Sequence, residues 1–154
     1  MEQKKIIMQL SKNFTLEELC HSNTANSKGI KNIPSEKEMA NLLYLAEKVL
    51  QPLRDGLGKS INVNVGFRNK VLNKAVGGSS TSFHLTGCAA DLDNGEGNSE
   101  IFHFIKDNLP YTELIWEKGS DKNPSWVHVA IAKGREKEKE TLKTKDGKSY
   151  KPYK

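Results

Sequence analysis

Apolar positions recur at three- and four-residue steps in the first third of the chain and at two-residue steps in several later segments. Met39, Leu42, Leu43, Ala46, Val49, Leu50 and Leu53 form one stripe, which predicts a helix with a single buried face. Ser35 and Glu38 frame its start as a capping box behind Pro34, and Gly56 and Gly58 end it. This helix carries core rather than chemistry. An earlier capping box, Thr15 with Glu18, opens a short helix. Residues 22–33 are polar, with Asn, Ser and Gly, and read as an exposed loop.

Residues 61–65 alternate apolar with polar, the pattern of a half-buried strand, and Gly66-Phe67-Arg68 closes it. A short helix is expected over 69–76. Residues 77–82 form a Gly/Ser loop that lacks the spacing and lysine of a phosphate-binding loop. Residues 88–92 read as a buried strand of small residues. Asn98 or Ser99 caps a helix running through Phe102, Phe104 and Ile105 to Asn108, with Pro110 beyond its end. Two closing strands follow at 113–117 and 126–132, joined by a turn at 118–125. Helices first and a mainly antiparallel sheet second predict an α+β domain.

The chain has 154 residues, enough for one core and too few for two. Its formal net charge of +5 suggests a polyanionic partner until it is counted by segment. Residues 1–132 hold 15 basic and 15 acidic side chains, whereas 133–154 hold 9 and 4. This argues against a core that reads nucleic acid, because such a core needs its positive charge on the surface that meets phosphate. The expectation is a neutral domain over 1–132 with a basic C-terminal tail over 133–154, whose sign-alternating run Arg135-Glu136-Lys137-Glu138-Lys139-Glu140 reads as a helix or a solvated extension. Solubility alone would explain such a tail; anionic wall polymers or membrane surfaces are the candidates for a partner. The chain is expected to be monomeric. Residues 1–14 contain an apolar run of about three residues, too short for the core of a secretory signal, so no signal peptide is recognised. Cys20 and Cys88 are too few for a disulfide scaffold and are expected to be reduced, buried small hydrophobes.

Two of the four histidines stand in unusual settings. His84 ends the Gly/Ser loop, and Asp91 follows seven residues later inside an apolar strand. His128 lies in the equally apolar stretch Trp126-Val127-His128-Val129-Ala130. A carboxylate among small apolar residues is costly unless it is paired or bound to metal. Two histidines and one carboxylate are a ligand set for catalytic zinc, with the fourth position left to water. A core histidine bonded to a buried aspartate is the other reading of the same spacing. His21 and His103 have no such setting, and His103 is expected to face solvent.

The pattern Ser82-x-His84-x-x-Gly87-x-Ala89-x-Asp91, followed by Trp126-Val127-His128, resembles the signature of the zinc D-Ala-D-Ala carboxypeptidase family, which includes phage endolysins. The likeness is greatest to its small, often phage-encoded members. It extends through Phe14-Thr15-Leu16-Glu17-Glu18-Leu19, Val65-Gly66-Phe67-Arg68-Asn69 and Glu113-Leu114-Ile115-Trp116-Glu117, and covers about residues 13 to 131 in order. The resemblance implies a Hedgehog/DD-peptidase-like fold, with N-terminal helices packed on a sheet that carries one zinc ion held by His84, Asp91 and His128. It also implies that Arg68 binds a peptide carboxylate, which suits its planar fork of donors. Ser82 would bond the substrate backbone or hold the loop, and Trp126 would shield the metal.

A peptidase of this kind needs a carboxylate to take a proton from water and pass it to the leaving amine. Many family members carry that acid three residues before the last histidine. Here the position is Ser125. Glu117, at the end of the strand paired through the turn with the His128 strand, is the first candidate for the base, and Asp121 in the turn is the second. The expected function is hydrolysis of peptidoglycan stem peptides, as a carboxypeptidase or an endopeptidase of endolysin type. The alternative is a catalytically silent zinc-binding or wall-binding module, which Ser125 keeps open. Nucleic-acid binding through the tail is a third reading. If phage-encoded, the protein is expected in a host cytoplasm before reaching the wall, or on a virion.

Overall fold

A computed structural model describes residues 8–154, so that residues 1–7, including the start of the expected domain, lie outside the described residues. Two short helices come first, α1 (Leu16–Cys20) and α2 (Asn23–Lys28). Each is capped by a side-chain oxygen, Thr15 accepting from Glu18 N and Ser22 from Ala25 N. The second was expected as loop. Its six residues are polar, and the Ser22 cap together with Gly29 in the left-handed conformation (φ 67°) closes a single stretch of helix that periodicity could not reveal.

The apolar stripe forms α3 (Glu36–Leu45) and α4 (Gln51–Leu57), opened by the complete Ser35/Glu38 capping box. Between them residues 46–50 adopt a wider π turn, in which Gln51 N donates to Ala46 O. Pro52 lacks an N–H and its ring crowds the carbonyl four residues earlier, so the helix widens there instead of breaking. Leu42, Leu45, Val49, Leu50 and Leu53 are fully buried along this rod.

The remaining elements are β1 (Val63–Val65), α5 (Lys70–Ala75), β2 (Ala89–Leu92), α6 (Asn98–Asn108), β3 (Glu113–Glu117), β4 (Trp126–Ala130), β5 (Glu140–Thr144) and β6 (Lys151–Pro152). The strands form one sheet in the order β1-β2-β4-β3-β5-β6, antiparallel except between β3 and β5. The fold is α+β, as the order of elements predicts. Among the described residues no helix is long and apolar enough to cross a membrane.

Strand alternation divides the sheet into two faces. Leu92, Val127, Val129, Leu114 and Trp116 join the helices in one core. Their neighbours in sequence, Asp91, His128 and Ile115, meet in register on the other face, with Leu142 of β5 next in the row. That second face carries the site.

Residues 133–154 depart from the expected tail. The β5 strand pairs with β3 along all five residues, and Tyr153 stacks on Trp116 with ring centroids 5.8 Å apart. Tyr111 and Thr141 are joined at 2.6 Å through their hydroxyls. Leu142 is the single aliphatic residue of β5, and the charged run before it conceals a strand buried mainly by pairing. The run itself forms turns, with Arg135 forked onto Glu138 at 2.6 and 3.0 Å. His103, expected to face solvent, is half-buried beside Phe102 and near Tyr153, because the C-terminal segment returns over it. Both cysteines are free; Cys88 is buried and Cys20 half-buried, its thiol pushed up to about 12 by burial and by Glu17 and Glu38.

Candidate active site

The site begins with a tight turn, residues 83–86, that presents His84. Ser82 starts it by accepting from His84 N at 3.2 Å, and Gly87 ends it at φ 78°. A Cβ on Gly87 would lie 2.6 Å from the Glu38 carbonyl, so only glycine lets this turn sit against α3. The buried His84 ring is fixed by its Nδ1, 2.6 Å from the Gly66 carbonyl. A carbonyl can only accept, so Nδ1 carries a proton, and Nε2 is the nitrogen turned toward Asp91 Oδ1 at 3.2 Å.

Asp91 and His128 are neighbours on β2 and β4. The Nδ1 of His128 lies 3.0 Å from the same Asp91 oxygen, and its Nε2 lies 2.8 Å from Glu113 Oε1. His84, Asp91 and His128 each offer one donor atom, and the three atoms lie within 4.8 Å of one another. Nitrogen, nitrogen and carboxylate oxygen at this spacing, open to a cleft, suit zinc with a free position. Each imidazole is also oriented by an acceptor on its far nitrogen, Gly66 O for one and Glu113 for the other, the usual support of metal-ligating histidines.

Electrostatics agree with a cation here. Burial alone would raise the Asp91 carboxyl, yet the two histidines hold it far below the usual carboxylate range. Burial would lower His128, but hydrogen bonds to Asp91 and Glu113 push it up to about 10. In the ion-free chain the positive charge between these carboxylates is therefore a proton on His128, which an ion would replace.

A cleft of about 860 Å³ opens over the triad, within the ordinary range for ligand pockets. Glu117 lines it and is only 6% exposed. Burial, opposed by His128 and reinforced by Asp91, pushes its carboxyl up to about 7. Arg68 reaches the cleft from the segment after β1, its backbone N donating to His84 O at 3.0 Å. Among the described residues its Nε is buried without a partner, and burial lowers its proton affinity despite Asp91. Ser82 and Trp126 also line the cleft.

Asp121 is not in this group. It lies in the turn after β3, 78% exposed, with its carboxylate 2.6 Å from Lys143 on β5. That partner stands on a strand that the charged sequence of residues 133–144 conceals. Ser125 donates its backbone N to Glu117 O at 2.8 Å, and Glu117 pairs with Trp126. A carboxylate thus stands across the turn from the position where the acid is missing.

Glu113 escaped the sequence reading, although alternation from Glu117 puts both on one face of β3. The cleft residues Glu140, Leu142, Gly147 and Tyr150 also escaped it, and for them the misread C-terminal segment left no signal.

A sequence model of the peptidase M15 family matches residues 12–130. The chain is also 36% identical over 124 residues to the zinc D-Ala-D-Ala carboxypeptidase of Streptomyces albus G. The alignment covers 80% of this chain and 47% of that protein, so the chain spans about half the length of the relative it matches. The segment matched by the family model ends before β5 begins.

Proposed function

Because the chain belongs to the peptidase M15 family, we propose that it is a zinc-dependent peptidase acting on the peptide stems of peptidoglycan. The observation that carries the proposal is the convergence of the His84, Asp91 and His128 donor atoms beneath a cleft that also holds the buried carboxyl of Glu117. Zinc bound there would activate water and polarise the scissile carbonyl.

The protein's own residues supply the rest. Glu113 and the Gly66 carbonyl keep both imidazoles in the tautomer that offers a lone pair to the ion. Glu117, poised near neutrality, takes the proton of the attacking water and returns it to the departing amine. Arg68, with an unpartnered Nε, holds a substrate carboxylate. The Ser82 hydroxyl oxygen holds the His84 turn, and its proton remains available to a substrate carbonyl. Trp126 covers one side of the cleft and keeps bulk water off. The silent-module alternative rested on Ser125, and Glu117 in the cleft favours catalysis over it.

The finer reading is a bacteriolytic enzyme of endolysin type, supported by the resemblance to small phage-encoded members. The basic surplus of residues 133–154 lies mostly in the turns around β5 and β6, with Lys143 and Lys151 on the strands themselves, and supports contact with anionic wall polymers. Digestion of purified sacculi by the zinc-loaded protein, followed by mass spectrometry of the muropeptides, tests the proposal. One cleaved stem bond, lost with a chelator and regained with zinc, is expected. Binding to sacculi without cleavage would return the silent module.

A further inference from the structure

Resting on the peptidase reading, we infer that Lys118 is a specificity residue that reads a second carboxylate on the substrate, on the side of the zinc ligands opposite Arg68.

The strand order carries the first part. Arg68 follows β1 and Lys118 follows β3, while Asp91 and His128 stand on β2 and β4 between them. Both cations line the same cleft. A peptide lying across the ligands therefore meets a positive side chain at each end of its path.

The second part is how Lys118 is held. Its backbone is left-handed (φ 54°), a conformation that side-chain-bearing residues adopt only when their surroundings impose it. The backbone N donates to Thr144 O at 2.8 Å, which ties the residue to the end of β5. Beyond Thr144 the chain turns back tightly, with Gly147 N donating to Thr144 Oγ1 and Lys148 N and Ser149 N donating to Asp146 Oδ1. At Gly147 (φ 76°) a Cβ would lie 3.0 Å from Lys118 Cε and 3.5 Å from its Nζ, so the glycine leaves the space along which the lysine stem runs. The ammonium stands 5.4 Å from the centroid of the Trp126 ring. Among the described residues Lys118 makes no ion pair, unlike Lys143 in the neighbouring groove, which is bound to Asp121. A lysine clamped at its backbone and along its stem, with its charge over an aromatic wall of the cleft, close enough to lower the carboxyl of the adjacent Glu117 yet ion-paired to no carboxylate among the described residues, is a carboxylate receptor held in place before substrate arrives.

The substrate class narrows accordingly to stem peptides that carry an internal carboxylate besides the group bound by Arg68. The C-terminal turn, which lies beyond the segment matched to the family, becomes part of specificity because it holds Lys118.

The test uses the zinc-loaded full chain and two synthetic stem pentapeptides, one with its internal carboxylates free and its twin with them as carboxamides. The wild type is expected to prefer the free acid by about fivefold in kcat/KM, the scale of one partly exposed charge pair. Lys118→Met is expected to lower kcat/KM for the free acid to the level of the twin, and Lys118→Arg to retain the preference. Equal cleavage of both peptides by the wild type overturns the inference. So does Lys118→Met slowing both peptides by the same factor with a shifted pH profile, since the lysine would then act through Glu117. Failure of the wild type to cut either peptide overturns the peptidase reading itself, a result distinct from the other two.

Discussion

His128 is gripped at both ring nitrogens by carboxylates, Nδ1 at 3.0 Å from Asp91 and Nε2 at 2.8 Å from Glu113. The first contact builds the ligand set and the second orients it, so the two should separate on mutation. Glu113→Gln keeps the fold and lowers zinc affinity by about 10- to 100-fold, the usual effect of losing a carboxylate behind a ligating histidine. Competition with a chromophoric chelator measures it. Unchanged affinity would remove Glu113 from the site.

The same grip makes zinc binding depend on pH. The His128 proton, held up to about 10, competes with the ion, so affinity rises with pH through the neutral and mildly alkaline range. For the ion-free chain the sign is opposite. A folded-state histidine raised above its ordinary 6.5 contributes stability that is full below that value and is lost as pH climbs toward 10. Glu117 adds a loss between 4.5 and about 7, since its protonated form is the one that burial favours. Ion-free protein should therefore melt at progressively lower temperature from pH 5 to 10. Calorimetry of chelator-treated samples checks this, and a rising melting temperature over that range would contradict it.

Glu117→Gln removes the base while leaving the ligands alone. Turnover should fall by about 10²- to 10⁴-fold with zinc content unchanged. In the wild type kcat rises with pH through a limb at or below 7, because Glu117 must be ionised and a bound cation only lowers its proton affinity. That limb should vanish in the variant. Near-normal turnover would assign the proton transfer to another group.

The C-terminal segment is structural and also lines the cleft. Deleting residues 133–154 strips β3 of one of its two strand partners and uncovers Trp116, so the truncated chain should lose cooperative unfolding. Tyr153→Ala is the milder probe, with an expected cost of about 1–3 kcal/mol from its lost aromatic contacts with Trp116 and Phe102. A truncated chain that melts like the full one would restore the view of a detachable tail.

What could be read from residues alone follows a physical rule. Capping boxes and a long apolar stripe are local and strong, and α3 and α4 lie where Ser35, Leu42 and Leu53 indicate. Asp91 and His128 stood out because ionisable groups in apolar strands are costly, and the structure brings them together with His84. The π turn ahead of Pro52 and the helix capped by Ser22 depend on backbone geometry that composition does not encode. Asp121 was a fair candidate until β5 supplied Lys143, and β5 was concealed because pairing with β3, rather than apolar content, makes it a strand. The errors over Asp121 and the cleft residues of 140–150 descend from that one segment, whereas Glu113 was legible in the alternation of β3.

The central claim, that His84, Asp91 and His128 hold one zinc ion with which Glu117 performs hydrolysis, is tested most directly by titrating ion-free protein with zinc while following release of amino groups from a peptidoglycan stem peptide. Activity should rise linearly and level at one equivalent of zinc per chain in the wild type, with Glu117→Gln binding the same equivalent and remaining nearly inactive. Hydrolysis at full rate before any zinc is added, or saturation with zinc and no hydrolysis, would contradict the account.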